Sequence, residues 1–341
     1  MVDTGSVDDS VEVARQHGAL VLHRPWDGDF SAPRNLGLDH INAEWILYID
    51  ADEEVRDTDP VSVRRTLAAA DGVASFLVNF TVRVGWTPYW EYRVWRHRDD
   101  VRFRGRIHET IVPDLRRIRS EEGQRFEQLD LFLQHYGYEG DQTAKHHRNL
   151  PILLEQVKLA PKRVYLWNHL GRVYEGLGRD DEAEAAFQHG IDIVRTHGLI
   201  EAVDILVYGS MSMMLFRKGR DATEIIEEGL RLDPQYHTLY LGLARLHMIN
   251  KDWSAAEREL RRLIAVGQQP IEHPVLSFTR AVFDHWPTEM LADCLFELGE
   301  YAEAGDLYER AREYGAAEIE MRTKAAACRS LASHQQTLGA Q

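Results

Sequence analysis

Trp45-Ile46-Leu47-Tyr48-Ile49 runs without a break into Asp50-Ala51-Asp52-Glu53. The apolar and aromatic run reads as a buried strand, the strongest such signal in the chain, and the acidic run marks where it leaves the core. Ligands of open α/β sheets bind outside the carboxyl ends of the strands. Aspartates at i and i+2 of an extended chain project to one side. Two short carboxylates there make a hard-oxygen site for Mg²⁺ or Mn²⁺, able to hold a substrate diphosphate. Taken alone, Asp50-Ala51-Asp52 also reads as a solvated turn after a strand.

The flanking sequence alternates strand and helix. Ser6-Val7-Asp8-Asp9 offers a helix start, Val11, Val13, Ala14 and His17 follow at helical spacing, and Gly18 suits the end. Ala19-Leu20-Val21-Leu22 is a short apolar run, and Pro33 sits in the first turn of a helix expected over Ala32 to His40. Val61 to Ala70 reads as helix and Val73 to Val84 as strand. Strands alternating with helices of this length predict an open, mostly parallel α/β sheet.

After about residue 145 the period becomes almost wholly helical. Trp167-Asn-His-Leu170-Gly171-Arg-Val-Tyr174, then Gly178, Ala183 and Phe187, has the spacing of the tetratricopeptide (TPR) repeat, W-x2-L-G-x2-Y followed by A-x3-F. Small Gly171 and Ala183 let paired helices approach, while Trp167, Tyr174 and Phe187 fill the space between them. Weaker copies hold Gly219, Ala222, Ile226 and Pro234; then Leu243, Ala244, His247, Ala256 and Leu260; then Leu291, Ala292, Leu295, Gly299, Ala304 and Tyr308. Ala317 to Ser333 would be a capping helix. The expected division is therefore an α/β domain over 1–145 and an all-α solenoid over 146–341.

Composition narrows the function classes. With 341 residues and a net charge of -15, the chain has material for two cores and is a poor default partner for nucleic acid. No stretch approaches the ~20 apolar residues of a membrane span. The start, Met1-Val2-Asp3-Thr4-Gly5-Ser6, lacks the basic and apolar regions of a signal peptide, so a cytoplasmic location is expected. Cys294 and Cys328 make neither a disulfide framework nor a metal motif.

Three separated segments now combine: Asp3-Thr-Gly-Ser6-Val-Asp8, Asp29-Phe-Ser-Ala-Pro-Arg34-Asn35, and Trp45 through Glu53. Their order and spacing resemble family 2 glycosyltransferases. The resemblance spans about the first 140 residues and continues through Phe103-Arg-Gly-Arg-Ile-His108-Glu109, His135-Tyr-Gly-Tyr138 and Lys145-His-His-Arg148-Asn149. The set is similar to the bacterial branch that carries TPR-like repeats after the catalytic domain. The resemblance implies a GT-A fold (Rossmann-like), a nucleotide-sugar donor, most often a UDP-sugar, and Mn²⁺ or Mg²⁺. Asp3 would contact the base or ribose, or instead cap the following helix. Asp50 would lie near the ribose and the metal, and Asp52 would bind the metal. Arg34 and Asn35, at a helix start, could reach the donor, or brace the loop after Trp26.

His135 is a candidate further metal ligand, because a neutral imidazole can complete such a site; a lone histidine is also commonly structural. Glu109 is the candidate general base, since inverting transfer needs a carboxylate to take the acceptor's proton. The family more often places that base in an acidic pair, and this chain has His108-Glu109. Arg93, Arg96, Arg98, Arg102, Arg104 and Arg106 read either as a phosphate clamp or as a face balancing the acidic remainder. The repeats would dimerise the chain or hold a peptide or protein acceptor; alternatively the chain is a scaffold with an inert α/β portion.

The family domain normally begins with a further strand and helix before the Asp-Thr-Gly-Ser segment, whereas here Asp3 lies two residues after Met1. Losing a central strand would expose neighbouring edges and apolar surface. Either the natural protein begins upstream of Met1 or the domain is a remnant, which puts catalysis by the chain as written in question.

Overall fold

The computed structural model describes residues 1–137, 142–271, 273–315 and 317–339. Tyr138, the last residue of the second downstream motif, lies outside them. The chain forms two compact units: Met1–Arg83 with Trp90–Ala186, and Val84–Tyr89 with Phe187–Gln341.

The first unit contains two sheets. β1 (Val2–Asp3) and β2 (Leu22–His23) pair in parallel, with α1 (Ser10–Gln16) between them in sequence. Gly18, at φ 78°, turns the chain out of α1 in the left-handed region. The second sheet has five strands: β3 (Trp45–Leu47), β4 (Glu53–Arg56), β5 (Val73–Thr81), β6 (Tyr89–Arg96) and β7 (Arg125–His135), in the order β3-β6-β5-β7-β4. β5 and β7 are parallel, whereas β3 on β6 and β4 on β7 are antiparallel. The expected mostly parallel sheet is thus mixed. β3 and β4, joined by residues 48–52, lie at opposite edges of this sheet and each pairs antiparallel with its inner neighbour.

β3 also differs from the buried strand its composition suggested. β3 is an edge strand beside β6, and its side chains alternate in burial: Ile46 is buried, while Leu47 and Ile49 are each over 40% exposed. The fully buried strand is β5, where Val73, Ala74, Ser75, Phe76, Val78 and Phe80 all leave solvent. α2 (Ser31–Leu38) and α4 (Val112–Glu122) supply Leu38, Leu115 and Ile118 to a core with Ile46, Ala74, Trp95 and Phe103. α3 (Pro60–Ala68) starts on Asp59, whose carboxylate accepts from the Val61 and Ser62 amides, with proline in the first turn.

Helix pairs follow. α5 (Thr143–Leu159), α6 (Val164–Gly176) and the first turns of α7 (Asp180–His197) pack in the same compact unit as the sheets. In α6 and α7, Leu170, Gly171, Tyr174, Ala183 and Phe187 are buried, as the repeat spacing requires. At Gly176 an added Cβ would stand 2.7 Å from the His146 imidazole, so a side chain there would force that ring to move where α5 meets α6.

The second unit continues with α8 (Leu206–Arg217), α9 (Thr223–Leu232), α10 (His237–Ile249), α11 (Trp253–Gly267), α12 (His285–Leu298), α13 (Tyr301–Glu313) and α14 (Glu318–Gly339). Ala244, Ala256, Ala292 and Ala304 are fully buried between paired helices, with Leu260, Leu291, Leu295 and Tyr308 around them. Cys294 and Cys328 are buried free thiols. Val84–Tyr89 also belongs to this unit, where the Thr87 amide donates to Phe278 O at 2.8 Å and the Thr87 hydroxyl accepts from the Phe278 amide. No helix among the described residues is long and apolar enough to cross a membrane.

Ala304 faces packed neighbours whereas Ala302 faces solvent. Overpacking predicts that Ala304→Leu lowers the unfolding free energy by about 1–3 kcal/mol. Ala302→Leu should change it by no more than about 0.5 kcal/mol. Denaturant titration of the two variants provides the comparison.

Candidate active site

The acidic run after β3 is a closed turn. The Glu53 amide donates to Asp50 O at 3.0 Å, and the Asp50 amide donates back to Glu53 Oε2 at 2.8 Å. Glu53 is then gripped by β6: Arg93 Nη1 donates to Oε2 at 3.0 Å and Nη2 to Oε1 at 2.8 Å, with the two side chains only 1% and 5% exposed. Arg93 also binds Glu91 and lies over the Tyr48 and Phe80 rings. Burial raises the Glu53 carboxyl, and the Arg93 charge opposes that shift.

Because the chain turns instead of staying extended, Asp50 and Asp52 do not share one side. Asp50 Oδ1 meets Arg34 Nη2 at 2.7 Å, whereas Asp52 Oδ2 lies 3.2 Å from His135 Nε2. The antiparallel register that sets Glu53 opposite His135 carries Asp52 to that imidazole. His135 Nδ1 is 3.0 Å from Val82 O, a group that can only accept, so Nδ1 donates to it and Nε2 is the ring atom that faces Asp52. Gly137 closes the same corner. A Cβ there would fall 1.9 Å from Asp52 Oδ2, so no other residue fits without moving the carboxylate.

Arg34, on α2, joins the two ends of the site. Its Nη2 binds Asp50 and its Nε binds Glu109 Oε1 at 2.6 Å, with the guanidinium over Tyr48 and Phe103. Three expected residues, Arg34, Asp50 and Glu109, are therefore in one chain of contacts. Asn35 is not part of it: both ends of its amide bind the Phe103 backbone, at 2.9 Å each. Asp3 is turned inward, accepting from the Ser6 amide at 3.0 Å, the Gly5 amide and His23. The Ser6 hydrogen bonds hold its carboxyl below the usual range.

The arginine run does not form a phosphate clamp. Each member carries a carboxylate: Arg93 with Glu53 and Glu91, Arg96 with Glu44, Arg98 with Asp100 and Glu122, Arg102 with Asp39, Arg104 with Asp114, and Arg106 with Glu155. What sequence reasoning missed is that Arg93 and Glu53 together hold the turn. Arg93, Val94 and Trp95 are buried in succession on β6, so no alternation marks the arginine and no local pattern names its partner.

For a divalent ion, the described residues gather no group of three or more His, Cys, Asp or Glu side chains. Asp52 and His135 are side by side, and Asp50 is engaged with Arg34. The donor types still suit Mg²⁺ or Mn²⁺, which commonly take one or two protein ligands and complete their shell with water and substrate phosphate oxygens.

Residues 1–126 match the family described as glycosyl transferase family 2, and residues 164–196 and 280–318 match tetratricopeptide repeats. The chain thus carries a family 2 glycosyltransferase domain followed by TPR repeats. It is 31% identical over 177 residues to a TPR repeat-containing protein of Synechococcus elongatus, covering 50% of this chain and 44% of that one. It is 25% identical over 199 residues to the prophage-derived glycosyltransferase SunS of Bacillus subtilis, covering 54% of this chain and 44% of SunS. The match thus spans less than half the length of these relatives. A solved TPR protein of Thermus thermophilus is similar over 54% of this chain and 91% of its own, at 17% identity and a TM-score of 0.37.

Removing Arg93 would strand a buried carboxylate, so Arg93→Met is expected to lower stability by about 3–5 kcal/mol. Adding Glu53→Met should recover a substantial part of that loss. Calorimetric unfolding of both single variants and of the double variant reads this; a double-variant loss equal to the sum of the two single losses would show that the pair is not coupled.

Proposed function

We propose that the chain is a metal-dependent, inverting glycosyltransferase that moves a sugar from a nucleotide-sugar donor, most simply a UDP-sugar, to an acceptor presented to Glu109. The observation that carries this reading is the Arg34 bridge between Asp50 and Glu109. It sets the candidate base one side chain away from the acidic turn that would receive the donor. Asp52 and His135 would hold Mn²⁺ or Mg²⁺, which when bound neutralises charge developing on the diphosphate leaving group. Glu109 accepts the proton of the attacking O–H, N–H or S–H group. As the new bond to the anomeric carbon forms, the bond to the diphosphate oxygen breaks, and the nucleoside diphosphate leaves with the electron pair.

Asp3 and Asn35 have smaller parts in this reading, because their polar atoms are spent on Ser6, Gly5, His23 and the Phe103 backbone. The TPR repeats would supply a surface for a peptide or protein acceptor or for a second copy of the chain.

The test is hydrolysis of a panel of UDP-sugars in Mn²⁺, with water as acceptor. Asp52→Ala should lower turnover by at least about 100-fold, the scale on which loss of one stabilising group acts on a transfer step. Glu109→Gln should stop turnover and leave UDP binding unchanged. Undiminished turnover in Asp52→Ala removes the metal assignment; undiminished turnover in Glu109→Gln places the base elsewhere. Absence of both turnover and UDP binding in the wild type would favour the second reading, a non-catalytic TPR scaffold.

A further inference from the structure

Immediately before Glu109 the backbone is strained. His108 has φ 52°, in the left-handed region that side chains other than glycine rarely adopt. Such a residue persists only when its surroundings hold it there. Those surroundings are one face of α6, about sixty residues downstream in sequence.

The His108 imidazole lies against that of His169 with ring centroids 3.9 Å apart and planes at 39°. Tyr165, one turn earlier on the same helix, packs edge-on to both, at 5.3 Å from His108 and 4.3 Å from His169. At the head of α6, Arg163 Nη1 donates to the His108 carbonyl at 3.0 Å. That carbonyl belongs to the peptide whose N–H is Glu109's, so Arg163 fixes the plane from which the Glu109 side chain departs. Beyond it, Glu109 meets Arg34 at 2.6 Å.

We propose that Arg163, Tyr165 and His169, on the first repeat helix, form a clamp that holds His108 in its left-handed conformation and so aims Glu109 at Arg34. These are positioning residues, and the proposal rests on the reading of Glu109 as the base. The first repeat is then a structural part of the transferase site as well as the opening of a solenoid.

The chemistry of the stack fits a fixed support and not a metal site. The rings lie against each other, and they join no group of three or more metal-binding side chains among the described residues. Both rings are held uncharged by burial, with the His108 imidazole pushed down to about 3. A neutral pair can stack without repulsion, and nearby Arg163 opposes its protonation.

The strain gives a specific rescue. Glycine adopts the left-handed region without penalty, so it keeps the backbone path with no clamp. Turnover of the best UDP-sugar in Mn²⁺ is measured for wild type, His169→Ala, His108→Gly, and the double variant. His169→Ala should lower kcat by about 10–100-fold, the scale of a small misplacement of a reacting group, with donor KM within about two-fold. In the double variant, His108→Gly should restore most of that loss. A loss in His169→Ala that His108→Gly does not restore, or no loss at all, overturns the clamp.

Crystal structures of wild type and His169→Ala give an arm that needs no activity. Residue 108 should leave positive φ, and Glu109 should part from Arg34. Retention of both features in the variant overturns the proposal, whereas a wild type that turns over no UDP-sugar counts against the transferase reading alone. If His169→Ala does not fold, Tyr165→Leu takes its place with the same expectations.

Discussion

The buried pair of Arg93 with Glu53 is the contact on which the acidic turn of the candidate site depends. A carboxylate so far out of water needs a bidentate cation and a further donor, and here it has both, the second being the Asp50 amide. The same Glu53 oxygens therefore tie β6 to the turn after β3. Once that turn is fixed, its two aspartates have fixed and different partners: Asp50 reaches Arg34 and Asp52 reaches His135. Gly137 leaves room for this arrangement by presenting no side chain to Asp52.

From Arg34 the geometry continues to Glu109. The guanidinium is sandwiched near Tyr48 and Phe103, so its position is set by the sheet and by the loop that Asn35 pins through both atoms of its amide. Glu109 is met at the end of this loop and is supported from behind by α6. Sheet, loop and first repeat helix thus converge on one ion-pair chain. The helix period changes near residue 145, yet α5 and α6 pack with the sheets, because Arg106 and His108 take partners from them: Gln156 and Glu155 for the one, Arg163, Tyr165 and His169 for the other.

Much of the fold was legible from local pattern. The helices around Pro33 and Val61, the strand at Val73 and the buried alanines of the repeats follow from periodicity and small-residue spacing, which are local properties. Sheet direction was not legible. An apolar run such as Trp45 to Ile49 has the same composition whether it pairs on one side or two, and only the partner strand decides. In the site, residue types were legible and partners were not. Asp50, Asp52, Arg34, Glu109 and His135 stood out as chemistry-bearing residues, but the closed turn that separates the two aspartates depends on Arg93, forty residues later. Likewise the left-handed His108 leaves no trace in sequence, since its support comes from a helix assigned to another domain by composition.

A turn that receives a nucleoside diphosphate through a divalent cation binds it only while the cation is present. Calorimetric titration of the purified chain with UDP, in Mn²⁺ and again in EDTA, tests it most directly. The predicted result is saturable one-to-one binding in Mn²⁺ that disappears in EDTA and in Asp52→Asn. Equal affinity under all three conditions would contradict it.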